Sequence, residues 1–483
     1  MVPSMNPLPL WIAFATTATA APIAGWTQSY DAGYIDATGA YAGGSEIMHL
    51  VAHQGKLHAA NGYWKDARWE DPPHAKRQSA QVLRLDAPDG RWQVDLDTGR
   101  ANNRGLSFMK GNILKSVTFT RDGAGHPLPR PRKLLILAAG TNVAGQGSVS
   151  TWVRDDTKNT WTHSVVLEGS NANGIRWVPR DMEVHRDKVT GVERIFLLLG
   201  NPGIISGIHD PSAPGMIRWD RKPEFPDSTP FRTRPLSIVR ANGSLLFSVG
   251  GSVYKRIDGA NPAYTRVLDL GARTNTDTGG IRGLTTIANP NGPGESILFL
   301  WAPVGRSMST IKRLDPDGRG GYTVHDEASM HGLMSRALAA KIGTTLGAHN
   351  MMTPVTHPAT GETVHLIGFQ GVIRDVPQLR SDPGPYYAGA MFAVRTSAQT
   401  YTVHEVNGRW SPGQRPLVCP RTFCPSPFGD GQLYVGGHDA NGQRSDNMAW
   451  IFRAPVDVAL RAPRADDVCQ PLPNPPADKI RRD

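Results

Sequence analysis

Long apolar runs are missing from this chain of 483 residues. No stretch reaches the ~18 apolar residues that a membrane-spanning helix needs, so such a helix is not expected. Runs of Lys or Arg, helix–turn–helix patterns and zinc-finger spacings are missing too, which argues against a nucleic-acid partner. There is no G-x-S-x-G elbow, no H-E-x-x-H helix, no P-loop and no dinucleotide fingerprint. Those absences remove the commonest serine hydrolase, zinc protease, nucleotide-hydrolysing and nicotinamide-dependent chemistries. Cysteine is scarce: Cys419, Cys424 and Cys469 are the only three. Three cysteines suit an exported chain with one disulfide and a free thiol, or with one metal site.

What is present points to an all-β chain. Glycine (52) and proline (39) are abundant, as many tight turns require, and 39% hydrophobic residues suffice for a core. The segment PLPLWIAFATTATAA near the start reads as an export signal, with small residues at Ala18-Thr19-Ala20, although no Lys or Arg precedes it. A secreted, extracellular protein is expected. The net charge of +10 draws it toward polyanions, and an acidic polysaccharide fits better than nucleic acid or a membrane surface. Asn242 in NGS is a glycosylation acceptor if the source is eukaryotic.

An arginine-bearing apolar strand recurs seven times, at Arg84, Arg154, Arg218, Arg256, Arg313, Arg395 and Arg453. In four copies a turn and an aromatic follow, reaching Trp92, Trp161, Tyr322 and Tyr401. Irregular copies of a strand–turn–strand unit predict a seven-bladed β-propeller, with the Arg strand third in each blade. The expected inner strands open at Glu46, Lys115, Arg180, Arg234, Arg282, His349 and Arg421, and each runs into a Gly-containing turn. Second strands end in small residues, as in AANG, LAAG, LLLG, SVGG, LIGF and YVGG. The expected division is a signal peptide over 1–20, a lead-in over 21–45, the propeller over 46–465 and a tail over 466–483, acting as a monomer. The insertion SMHGLMSRALAAKIG before blade six reads as a short helix.

The residues that open the inner strands gather around one mouth of the central channel. Five of the seven are Lys or Arg, a composition suited to clamping carboxylates by charge-assisted, bidentate hydrogen bonds. Lys115, Arg180, Arg234, Arg282 and His349 are the candidate substrate-binding residues. Histidines crowd into blade one as His49, His53, His58 and His74. Beside a cationic mouth an imidazole stays neutral and can take a proton. Only Glu46 is an acid placed at the mouth, which disfavours the paired carboxylates of ordinary glycosidases. Cys419, Cys424 and His438 are too loosely spaced for a C-x-x-C zinc pair, so a disulfide is preferred to zinc. A calcium ion in the channel has no assignable ligands.

Three stretches, GSEIMHLVAHQGKLHAANGYWKD, SAQVLRLDAPDGRWQVDL and FMKGNILKSVTFTRDG, resemble the secreted L-rhamnose-α-1,4-D-glucuronate lyases, seven-bladed propellers that release rhamnose from gum arabic side chains. A fourth, DKVTGVERIFLLLGNPGIISGIHDPS, is similar to the propeller ulvan lyases, which cut beside glucuronate. These resemblances imply His acting with Arg or Tyr on one face of the ring. A histidine pair about twenty apart in the first blade matches His53 and His74. Topology puts His53 near the far turn, so His49 is the expected mouth residue, and Tyr63 is a further candidate. The implied reaction is β-elimination at O4 of a glucuronate, giving a 4,5-unsaturated uronate without a redox cofactor. A bound calcium or zinc ion is compatible with it. The alternatives are a carbohydrate-binding propeller without catalysis, or a hydrolytic propeller with a carboxylate pair or metal cage.

Overall fold

In the computed structural model the described residues are 25–63, 79–101, 108–143, 146–169, 177–200, 202–226, 235–271, 279–303, 308–347, 351–407, 410–442 and 447–461. They form a seven-bladed β-propeller. Blade one is an antiparallel meander of Glu46–His53, Lys56–Gly62, Gln81–Leu85 and Gln93–Asp97. Blade two opens with Ile113–Arg121, blade three with Met182–Arg186, blade four with Pro235–Ala241 and blade five with Gly280–Ala288. In blade six two strands, Ile342–Gly347 and Thr353–Thr356, both pair with Thr363–Ile373. Blade seven takes Cys419–Pro425, Gln432–His438 and Ala449–Pro455 from the end of the chain and Thr27–Asp31 from its beginning. That last pairing closes the ring and covers an edge that would otherwise be open.

The hairpins follow their turn chemistry. Gln54-Gly55 and Asn242-Gly243 both have positive φ at the two central residues, as the tight type I′ connection requires. Asn242 also ties blade four to blade five: its side-chain amide donates to the Glu295 carbonyl at 2.8 Å, and its oxygen accepts from the Glu295 amide at 2.8 Å. The glycosylation acceptor of the NGS triplet is thus already engaged. Small residues at the ends of second strands have a physical cause. A Cβ on Gly140 would lie 1.7 Å from the Trp177 carbonyl oxygen, and one on Gly368 would lie 1.7 Å from that of Pro420. At both places the next blade's backbone approaches too closely for any side chain.

Each neighbouring pair of blades shares one apolar cluster. Leu137, Ile136 and Leu134 illustrate the alternation, since the first belongs with blade one and the other two with blade three. Full burial of such side chains is worth ~1.5–3 kcal/mol each. The insertion before blade six forms the helix Met330–Leu338, capped by the Ser329 hydroxyl, which accepts from the Gly332 amide at 3.1 Å. Its buried Met330, Leu333, Met334 and Leu338 recur on one helical face and seal the interface of blades five and six.

The repeated arginine lies on the third strand in six blades. Arg218 is the exception and a correction: the third strand of blade three is Ile204–His209, and Arg218 sits on the fourth, Ile217–Trp219. Elsewhere the arginine anchors a clamp at the face where the third and fourth strands turn. Arg154 bonds Asp95 of the preceding blade and Asp156 two residues on. Arg256 bonds Asp187 and Glu224 of the preceding blade and Asp258 two residues on. Arg313 and Arg395 converge on the buried Glu327.

Candidate active site at the mouth of the ring

Inner strands begin, and second strands end, at the face opposite these clamps. Glu46 opens the inner strand of blade one there. It accepts a hydrogen bond from Arg421 Nη1, on the inner strand of blade seven. His438, the last residue of blade seven's second strand, brings Nδ1 to 3.4 Å from Glu46 Oε1. All three are buried, with Glu46 only 4% and Arg421 only 6% exposed. Burial pushes the Glu46 carboxyl up, but Arg421, then His438 and Lys110, outweigh it and hold it below the usual carboxylate range.

His49 lies three residues along the same strand. Its Nε2 is 2.8 Å from the Asn112 carbonyl, which can only accept. The proton is therefore on Nε2 and the lone pair on Nδ1. Burial, followed by the positive charge of Arg421, pushes this imidazole down to about 3, so it is neutral at physiological pH.

The cations of the mouth are not equivalent. Lys115 donates from Nζ to the Met182 carbonyl at 2.6 Å and to Glu183 at 3.0 Å, with Asp181 at 3.5 Å. Burial opposes its charge, but Asp181 and Glu183 outweigh that and hold the ammonium above the ordinary lysine range. Its charge is committed to blade three. Asp181 moves the other way: burial pushes it up, and Lys115 only partly offsets that. Arg282 is buried, with Nη2 3.4 Å from the Gly279 carbonyl. Arg180 is partly exposed, and its amide donates to the Leu198 carbonyl at 3.2 Å.

His49, Lys115, Arg180 and Arg282 thus share the face of Glu46. His53 does not. It ends the inner strand, with Nδ1 2.8 Å from the Ser116 hydroxyl and Nε2 2.9 Å from Asp156. His185, at the matching place in blade three, makes the same contact to Asp258 at 2.9 Å. Both histidines belong to the blade clamps on the far face. Tyr63 is fully buried at the end of the second strand, its amide donating to the Met109 carbonyl at 2.8 Å. His74, Arg234 and His349 lie outside the described residues, as do Cys469 and the signal segment.

The sequence reading missed His438 as a neighbour of Glu46, Asp181 and Glu183 as mouth acids, and Asn112 as the group that sets the His49 tautomer. His438 follows directly on the small-residue run YVGG, and that was a usable signal, since those runs mark the mouth end of second strands. Cys419 and Cys424 are free, buried thiols rather than a bridged pair, both pushed up to about 12 by burial. Among the described residues, no three His, Cys, Asp or Glu side chains converge to hold a metal ion. No helix among them is long and apolar enough to cross a membrane.

Neither a protein-family model nor a curated protein sequence matches the chain. Among solved structures it is similar to an ulvan lyase of polysaccharide lyase family PL25, with 10% identity and a TM-score of 0.43 over 91% of this chain and 100% of that one. It is also similar to the GH93 α-L-arabinofuranosidase of Fusarium graminearum, with 9% identity and a TM-score of 0.42 over 90% and 99%. A GH74 xyloglucanase from Xanthomonas campestris gives 13% identity and a TM-score of 0.44 over 88% and 55%.

Proposed function

We propose that the protein is a secreted polysaccharide lyase that cleaves at O4 of glucuronate by β-elimination, releasing terminal L-rhamnose from gum arabic-like glycans. The observation that carries this is His49: a neutral imidazole of fixed tautomer, set within the field of the Arg421 guanidinium and the Lys115 ammonium. The C5 proton of a uronate is α to a carboxylate and is very weakly acidic. Removing it requires that carboxylate to be neutralised, a task for Arg282 and Arg180 rather than for Lys115, which is held by two acids. His49 Nδ1 then takes the proton. The electron pair of the C5–H bond forms the C4–C5 double bond, C4–O4 breaks, and O4 leaves with a proton from an acid. Binding of the substrate's negative charge beside His49 raises the proton affinity that burial and, after it, Arg421 suppress, so the base strengthens as the complex forms.

A second reading, glycoside hydrolysis, draws support from Asp181 and Glu183, the two carboxylates beside Lys115. One assay separates the two. Incubation with gum arabic is expected to raise ultraviolet absorbance as the conjugated uronate accumulates, with one free rhamnose per double bond. New reducing ends without that absorbance would establish hydrolysis. Binding without either product would leave a lectin.

A further inference from the structure

Elimination needs a second proton-transfer group, because an alkoxide at O4 is a poor leaving group. We propose His438 as the proton donor to the leaving oxygen, acting from blade seven across the Glu46–Arg421 pair from His49 on blade one. This assignment rests on the lyase reading above. Its basis is an arrangement of four side chains from two blades. Glu46 Oε1 accepts from Arg421 Nη1 and lies 3.4 Å from His438 Nδ1. An anionic carboxylate at that distance is the partner an imidazolium requires, whereas His49 faces a neutral carbonyl through Nε2. His49 Nε2 thus meets a carbonyl and His438 Nδ1 a carboxylate, a difference of the kind that separates a base from an acid.

The step balances with no further reagent. His49 Nδ1 gains the proton from C5, the C5–H electrons become the double bond, and the C4–O4 pair goes to O4. O4 takes the proton on His438 Nε2, the ring nitrogen turned away from Glu46. Glu46 does not react. Its carboxylate lies beside His438 Nδ1 and would balance the positive charge of the ring, so it is a positioning residue.

The test compares a natural substrate with a methyl 4-deoxy-4-fluoroglucuronide, since fluoride leaves without needing a proton. His438→Gln is expected to lose about 100-fold or more in kcat/KM on the rhamnosyl glucuronide, within the usual range for general acid catalysis. On the fluoride it should stay within a few-fold of wild type. Equal losses on both substrates, or none on either, would overturn the assignment. Wild-type protein supplies a check that does not depend on the variant folding. The alkaline limb of its kcat/KM profile should be present with the glycan and absent with the fluoride, and the same limb on both would overturn it. If the wild type forms no unsaturated product from either compound, the lyase reading itself fails, an outcome distinct from failure of His438 alone.

Discussion

At the scale of single residues, the mouth is governed by the pairing of charge rather than its amount. Arg421 and Glu46 are 375 residues apart in sequence and meet only because the ring closes. Reading the strand openings found both residues at the mouth, but pairing across blades seven and one cannot be seen from strand periodicity. The same holds for Lys115, which reads as a free cation in sequence and is bound by Asp181 and Glu183 in space. Removing one member of a buried pair leaves an uncompensated charge. Glu46→Ala is therefore expected to lower unfolding free energy by about 3–5 kcal/mol. The double variant Glu46→Leu, Arg421→Met should recover most of that loss while remaining inactive. Urea denaturation and the gum arabic assay measure the two effects separately. Full activity in the double variant would remove the pair from the site.

At the scale of strands, the repeated arginine was the most legible feature, and its role turned out to be structural. Five copies carry Asp two residues later, as in Arg256-Ile257-Asp258. Residues two apart on a strand share a face, and at Arg154 and Arg256 the pair converges with acids of the preceding blade, whereas Arg84 and Arg313 find theirs in their own blade. The copy at Arg218 misled because sequence similarity does not count strands. The short third strand Ile204–His209 had already filled the place that Arg218 was assigned. The clamps also explain His53. Its environment repeats that of His185 in blade three, and a role repeated in two blades is not that of a single axial site. His53→Gln and His185→Gln should behave alike, each losing about 1–3 kcal/mol by the lost hydrogen bond to a charged partner. Neither should change kcat by more than about two-fold. A large loss of turnover in His53→Gln, with none in His185→Gln, would return His53 to the mechanism.

At the scale of the whole molecule, closure comes from Thr27–Asp31, the outer strand of blade seven. Nothing in that segment's own pattern names its partner, because the pairing is fixed by the ring and not by local sequence. The wheel it completes buries histidines between blades as well as at the mouth, and this sets its response to acid. Burial pushes His58 down to about 3, and His365 and His404 down to about 4. With His49 these groups are neutral in the folded ring, whereas in the unfolded chain they take up protons below about pH 6.5. The unfolded state then binds more protons, so stability must fall as pH drops from about 6.5 toward 4. Each such histidine adds at most ~1.4 kcal/mol per pH unit to that slope. Glu46, Asp95 and Glu327, held below the usual carboxylate range against burial by neighbouring guanidinium groups, extend the loss further as pH falls below about 4. Thermal melts between pH 7 and pH 4 are expected to show a continuous decline in Tm. His58 hydrogen-bonds through neither ring nitrogen among the described residues, so His58→Gln tests one contribution with little else disturbed. Its melting curve should decline less steeply than wild type over that window. A wild-type Tm that is flat from pH 7 to pH 5 would show that these imidazoles are not buried neutral in the closed ring.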